Sequence, residues 1–103
     1  MIAASLKPLT PALQRWFPAR GWRPLPFQVE TWKAYAAGRS GLIHAPTGLG
    51  KTLAAWLGPV MAHGNEKGLR VLWITPLRAL AADTVRSLQE ALDGAEAAQK
   101  VEA

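Results

Sequence analysis

The sequence has 103 residues, the length of one small domain, and half of them are apolar, which excludes an intrinsically disordered chain. It contains no cysteine, which excludes a disulfide framework or a thiolate metal site and agrees with the reducing cytoplasm, where we expect the protein to act. Its apolar runs are shorter than the roughly 18 residues that cross a bilayer, so we expect no membrane partner.

The net charge of +5 is concentrated in the first third of the chain. Residues 1–39 hold six basic groups against the single acid Glu30, whereas residues 40–103 hold six groups of each sign. Because a basic lobe attracts polyanions, this asymmetry favours a nucleic-acid partner. A solvated basic surface without a partner explains the charge equally well, so charge alone leaves both interpretations open.

Two short helices are predicted within this basic third. Thr10-Pro11 combines a capping residue with proline at the first helical position, and Pro18 predicts an early end. A second helix is predicted from Pro26 to about residue 37, with Gly38 as its stop. The side chains expected to face inward from these helices are Leu13, Trp16, Phe17, Val29, Trp32 and Ala36.

Two strand–helix pairs are predicted after residue 39. The short apolar runs 41–45 and 71–75 are typical of buried strands. A helical pattern follows each run; the first contains Pro59, which predicts a kink or an end at Gly58, and the second ends near Gly94. The alternation predicts an α/β fold with a parallel sheet. The tail 95–103 shows no convincing apolar face.

The most informative segment lies between the first predicted strand and its helix and reads Ala45-Pro46-Thr47-Gly48-Leu49-Gly50-Lys51-Thr52. A strand that enters and a helix that leaves are the context that a phosphate-binding loop requires. The two glycines allow a tight turn, so that successive N–H groups point at one anion, and the helix adds its positive end. Lys51 can reach the β- and γ-phosphates of ATP, and the Thr52 hydroxyl can bind the bridging Mg²⁺. An ordinary glycine-rich turn is the alternative.

Three segments together resemble superfamily 2 helicases of the DEAD/DEAH-box type. Residues 45–52 are similar to motif I of these helicases, which often begins with alanine. Pro26-Phe27-Gln28 lies 23 residues before Lys51 and resembles the Q motif, whose glutamine contacts adenine. The segment 75–81 resembles motif Ia, which contacts the nucleic-acid backbone. The whole run 20–83 looks most like the ligase-associated DEXH-box helicases, relatives of the large helicase-related family.

The resemblance implies an organisation and a set of ligands. It implies a partial RecA-like lobe over residues 40–94, preceded by a basic helical segment 1–39 with the Q-motif-like region and followed by the tail 95–103. ATP and Mg²⁺ are the implied cofactors, and DNA, rather than RNA, is the favoured nucleic acid; DNA ligase and repair partners rest on resemblance alone. The implied nucleotide-binding residues are Gln28, Thr47, Gly48, Leu49, Gly50, Lys51 and Thr52, with Lys51 also catalytic and Thr52 also the metal ligand. The implied nucleic-acid contacts are Thr75, Pro76 and Arg78.

Physical chemistry supports two of these roles independently. A glutamine amide can pair with the N6/N7 edge of adenine, although Gln28 alone would otherwise be interpreted as a surface residue. An arginine in the first turn of a helix suits a phosphodiester, and an exposed helical arginine is the alternative for Arg78. Trp22, beside the basic segment, is a candidate for stacking on a base.

ATP hydrolysis by this mechanism requires an acidic site that holds Mg²⁺ and orients water. In the helicases this site is an Asp-Glu-x-His box, and the sequence contains no such tetrad. We therefore expect the N-terminal part of a longer helicase that is not hydrolytically competent alone. Two other classes stay open: a non-catalytic nucleic-acid-binding remnant and a small kinase-like phosphate-loop protein.

Overall fold

Four helices make up the regular structure of the chain in a computed structural model that describes residues 8–44, 48–74 and 78–102. Their bounds are Pro11–Ala19 for α1, Pro26–Ala36 for α2, Gly48–His63 for α3 and Arg78–Gly94 for α4. The two short helices predicted in the first third are therefore confirmed. Among the described residues, no helix is both long and apolar enough to cross a membrane.

The ends of the first two helices follow from local sequence. Thr10 is extended and Pro11 takes the first helical position of α1, as its fixed φ favours. Pro18 lies in the last turn, and α1 ends one residue later. α2 begins at Pro26, and the chain leaves it through Gly38, whose φ of +79° lies in the left-handed region that glycine adopts without strain.

One core joins all four helices. α3 packs against α2 on one side and α4 on the other, and α1 packs against α4. Two indole N–H groups fix these contacts: Trp32 donates to the Leu53 carbonyl at 3.1 Å, and Trp56 donates to the Leu88 carbonyl at 3.0 Å. The buried apolar residues of this core are Leu9, Leu13, Phe17, Trp32, Leu53, Trp56, Leu57, Val60, Leu88, Ala91 and Leu92.

The prediction of an α/β fold with a parallel sheet was wrong for the described residues, which contain no strand. Residues 41–44 and 71–74 have no regular secondary structure, and neither segment forms a backbone hydrogen bond with another described residue. Leu42 and Ile74 are each 82% exposed, whereas Val71 and Trp73 pack against the core, so the runs expected to be buried strands are only partly buried. A strand requires a partner ladder, which an apolar run does not supply by itself.

Two local predictions for the helices were also wrong, namely an end of the helix at Gly58 and an inward Ala36, whereas a kink at Pro59 stays a prediction. α3 continues through Pro59 to His63 because Val60 beyond the proline is buried, which offsets the backbone bond that proline cannot donate. Ala36 is exposed, and the half-buried Tyr35 takes the inward position instead. A Cβ added to Gly58 would lie 3.1 Å from Tyr35, so α3 meets α2 at this tyrosine.

The tail packs on the molecule, although its sequence shows no convincing apolar face. Ala95, Ala97 and Val101 pack against the core. The tail is held by backbone N–H groups: Gln99 donates to the Gly64 carbonyl at 2.8 Å and Val101 donates to Gln89 Oε1 at 2.9 Å. These contacts are non-local, so helical periodicity does not reveal them.

Candidate nucleotide-binding site

The residues of the predicted phosphate loop that the structure describes form the first turn of α3. Residues 48–52, Leu49 included, are helical, whereas Ala45, Pro46 and Thr47 lie outside the described residues. Gly50 is not among the described glycines with positive φ, so the tight turn expected there is instead the start of a helix. A helix start presents backbone N–H groups without intrahelical partners, and its macrodipole adds positive potential.

Lys51 and Thr52 supply the polar side chains of this turn. Both are half-buried. In the part of the chain that the structure describes, every ion pair lies elsewhere, so the Lys51 ammonium is not neutralised by a carboxylate there. No group of three or more histidine or acidic side chains that could hold a metal ion occurs among the described residues.

Gln28 lies directly against this turn. Its side chain is buried, with 3% exposure, and its Nε2 donates to the Gly50 carbonyl at 3.0 Å. Its Oε1 accepts the Leu25 N–H at 2.8 Å, at the start of α2. One amide N–H and one oxygen lone pair remain for other partners, so the adenine contact stays a prediction.

A pocket of about 300 Å³ opens beside Gln28 and Gly50. Trp22 forms one wall, with its ring edge-on to Trp16 at 5.4 Å between centroids, and the Arg20 guanidinium lies 4.9 Å from the Trp22 ring centroid. The other lining residues are Phe17, Gly21, Arg23, Leu25 and Leu53. An aromatic wall and an amide edge are the groups that hold a planar base.

Two of the basic residues in the first third form ion pairs with the last third. Arg15 contacts Glu96 at 2.9 Å, and Arg20 contacts Glu90 at 3.2 Å. The excess charge predicted to attract polyanions is therefore partly compensated by the fold. Within the described residues, the exposed Arg23, Lys33 and Arg39 form no ion pair.

The structure does not describe side-chain geometry for the nucleic-acid contacts expected from the sequence. Thr75 and Pro76 lie outside the described residues, and Arg78 is the first residue of α4. Trp22, a candidate for stacking on a base, belongs to the aromatic cluster with Trp16.

Sequence reasoning missed the structural role of Gln28. Pro26 at the first helical position makes Leu25 the N-cap, which places Gln28 at the third helical position. A glutamine there commonly accepts the N-cap N–H, and this spacing was the available signal. The bond to Gly50 joins residues 22 positions apart, and no local pattern predicts it.

Comparison with known proteins gives a consistent result. Residues 25–102 match the family model described as DEAD/DEAH box helicase. The chain is 40% identical over 86 residues to the Lhr helicase/probable uracil glycosylase of Mycolicibacterium smegmatis, covering 79% of this chain and 6% of that protein. It is 38% identical over 90 residues to the ATP-dependent helicase Lhr-Core of Sulfolobus acidocaldarius, covering 81% and 10% respectively.

An RNA helicase is also among the relatives. The chain is 39% identical over 74 residues to the probable ATP-dependent RNA helicase DDX52 of Bos taurus, covering 69% of this chain and 12% of that protein. The chain thus spans 6–12% of the length of these three curated relatives. No solved structure matches the chain.

Proposed function

Because the chain belongs to the DEAD/DEAH box helicase family, we propose that it is the N-terminal, nucleotide-binding part of an ATP-dependent helicase. The observation that carries the proposal is the first turn of α3, where Lys51 and Thr52 follow two glycines and Gln28 contacts Gly50. Unpaired N–H groups, a lysine and a hydroxyl at one helix start form a donor set that suits Mg·ATP phosphates.

The loop residues have three roles in the proposal. Backbone N–H groups of residues 47–50 hold phosphate oxygens, and Lys51 stabilises the charge of the β- and γ-phosphates. The Thr52 hydroxyl would be the protein ligand of Mg²⁺, which would neutralise part of the phosphate charge. The adenine base occupies the pocket beside Gln28, with Trp22 as its aromatic wall.

We expect binding without turnover in the chain alone. The sequence contains no Asp-Glu-x-His box to orient the attacking water, and Glu30 is the single acidic residue before the loop. Hydrolysis and strand separation are therefore proposed for a longer enzyme that contains this part. A role beside DNA ligase and repair proteins rests on family resemblance.

Calorimetric titration of the purified chain with Mg·ATP tests the nucleotide site. Replacing Lys51 with alanine removes a charge-assisted contact to phosphate, so we expect Lys51→Ala to weaken binding about ten- to hundredfold. Lys33→Ala, which removes an exposed lysine from α2, is the matched control and should bind like the wild type. Equal affinities for wild type and Lys51→Ala would contradict the proposal.

Nucleic-acid binding is proposed through Thr75, Pro76 and Arg78, with DNA preferred over RNA. Phosphate contacts release counterions, so affinity for a labelled single strand should fall as salt rises. Anisotropy titrations with DNA and RNA of one sequence, with and without Mg·ATP, measure the preference. Stronger binding to RNA would contradict the DNA preference. If the chain binds DNA equally well with and without Mg·ATP and does not bind ATP itself, a non-catalytic binding remnant that uses the exposed basic residues would be favoured.

A further inference from the structure

The start of α2 is bonded to the phosphate-loop helix through the amide of Gln28. The amide is 3% exposed, it donates to the Gly50 carbonyl at 3.0 Å, and it accepts the Leu25 N–H at 2.8 Å. Exchanging the amide nitrogen and oxygen would place two donors together at Leu25 and two acceptors together at Gly50, so these two bonds define one orientation of the side chain. Gln28 therefore connects the N-terminus of one helix to the first turn of another.

The bond reaches the peptide unit that precedes Lys51. The Gly50 carbonyl and the Lys51 N–H belong to one planar peptide group. A restraint on the carbonyl therefore restrains the plane from which the Lys51 backbone and side chain depart. Gly50 has no side chain to pack, so the contact from Gln28 adds a side-chain restraint to the backbone bonds of α3.

Neighbouring contacts make the attachment rigid. A Cβ on Gly50 would lie 3.5 Å from Phe27 Cζ and 3.8 Å from Leu25 Cδ1, so residues on both sides of Pro26 pack around the same point. One turn further along both helices, the buried Trp32 donates to the Leu53 carbonyl at 3.1 Å. Two side chains of α2 thus bond to successive turns of α3.

We propose that Gln28 is a positioning residue for phosphate binding: it orients the Gly50–Lys51 peptide and thereby Lys51, independently of any contact with the base. The inference rests on the proposed nucleotide site and adds a role that acts on every phosphate ligand, whatever its base. Trp32 bonds to a carbonyl two residues beyond Lys51 and has no such role.

Amide hydrogen exchange tests the restraint without a ligand. Gln28→Met keeps the length and volume of the side chain but removes the amide, so we expect exchange at residues 50–54 to accelerate about five- to tenfold relative to residues 85–92 of α4. Trp32→Phe is the matched control, because it breaks the equivalent bond at Leu53. Unchanged exchange at residues 50–54 in Gln28→Met would overturn the inference.

Titration with Mg·ATP, Mg·GTP and inorganic tripolyphosphate separates positioning from base recognition. We expect Gln28→Met to weaken all three by a similar factor, about five- to tenfold, while Trp32→Phe leaves their affinities unchanged for the folded fraction. Loss of ATP binding alone, with tripolyphosphate unaffected, would overturn the inference and leave Gln28 as an adenine contact.

Two further outcomes are decided by the same data. If the wild-type chain binds none of the three ligands, the proposed nucleotide site fails, and the exchange rates alone decide whether Gln28 restrains the peptide before Lys51. If Gln28→Met does not fold, Gln28→Glu replaces it, because a carboxylate still accepts the Leu25 N–H and cannot donate to Gly50. Faster exchange at residues 50–54 in that variant supports the inference, and unchanged exchange overturns it.

Discussion

At the residue scale, Gly94 shows how closely α4 approaches α1. A Cβ added at this position would lie 2.5 Å from Cγ and Cδ2 of Trp16, a distance that forces the ring to move. The absence of a side chain therefore has a steric cause, although alanine is the better helix former by about 1 kcal/mol. The overlap with a large ring outweighs that preference.

We predict that Gly94→Ala lowers the free energy of unfolding by about 1–3 kcal/mol, because overpacking displaces the Trp16 indole. Urea unfolding followed by tryptophan fluorescence measures the effect. Gly41→Ala is the control, since a Cβ there meets nothing within 4 Å, and it should change stability by less than about 0.5 kcal/mol. A Gly94→Ala chain as stable as the wild type would contradict the packing described.

Gln28 shows what a single residue's sequence context can and cannot predict. Its spacing from Lys51 is the basis for predicting an adenine contact, and its position after Pro26 was the signal for the N-cap bond that sequence reasoning missed. The contact with Gly50 depends on how α2 packs on α3, which is a tertiary property. The nucleotide contact of Gln28 therefore stays a prediction, and sequence reasoning did not predict that this amide also belongs to the core.

At the scale of elements, the helices were predicted well, whereas the two predicted strands were not found among the described residues. Proline at the first helical position and glycine after the last turn are local signals, and they predicted the bounds of α1 and α2 within two residues. Burial of residues 41–44 and 71–74 as strands would require partner strands, and the apolar pattern contains no information about them. The same limit applies to the tail, whose contacts with Gly64 and Gln89 are non-local.

The contact between α3 and α4 includes a hydrogen bond from the Trp56 indole. Trp56→Phe removes the N–H that bonds to the Leu88 carbonyl and leaves a small void, so we expect a loss of about 1–3 kcal/mol in the free energy of unfolding. Trp73→Phe is the control, because Trp73 is half-buried and packs edge-on against Trp56 at 5.9 Å. Chemical denaturation monitored by far-ultraviolet circular dichroism measures both. Equal losses for the two variants would contradict a specific role for the indole bond.

At the scale of the whole molecule, the irregular segments 41–44 and 69–74 leave apolar side chains on the surface. Leu42, Leu69, Leu72 and Ile74 are each at least 76% exposed. Exposed apolar side chains favour association between molecules. We therefore expect the purified chain to self-associate as its concentration rises.

The variant Ile74→Lys tests this expectation. It places a charge at a position that is 82% exposed, so we predict a change in stability below about 0.5 kcal/mol and weaker self-association in sedimentation velocity runs at increasing concentration. Lys100→Arg, which keeps an exposed positive charge in the tail, should sediment like the wild type. Unaltered association in Ile74→Lys would show that this segment is not the contact surface.

The central claim is that the first turn of α3, held by α2, binds the phosphates of ATP. Backbone amide NMR of the ¹⁵N-labelled chain during titration with Mg·ATP tests it most directly, because it locates the ligand residue by residue. We predict that the largest shifts fall at Gly50, Lys51 and Thr52, with a second group at Leu25 and Gln28, and that Lys51→Ala removes both. Shifts confined to α4 and the tail, or no shifts at saturating Mg·ATP, would contradict the claim.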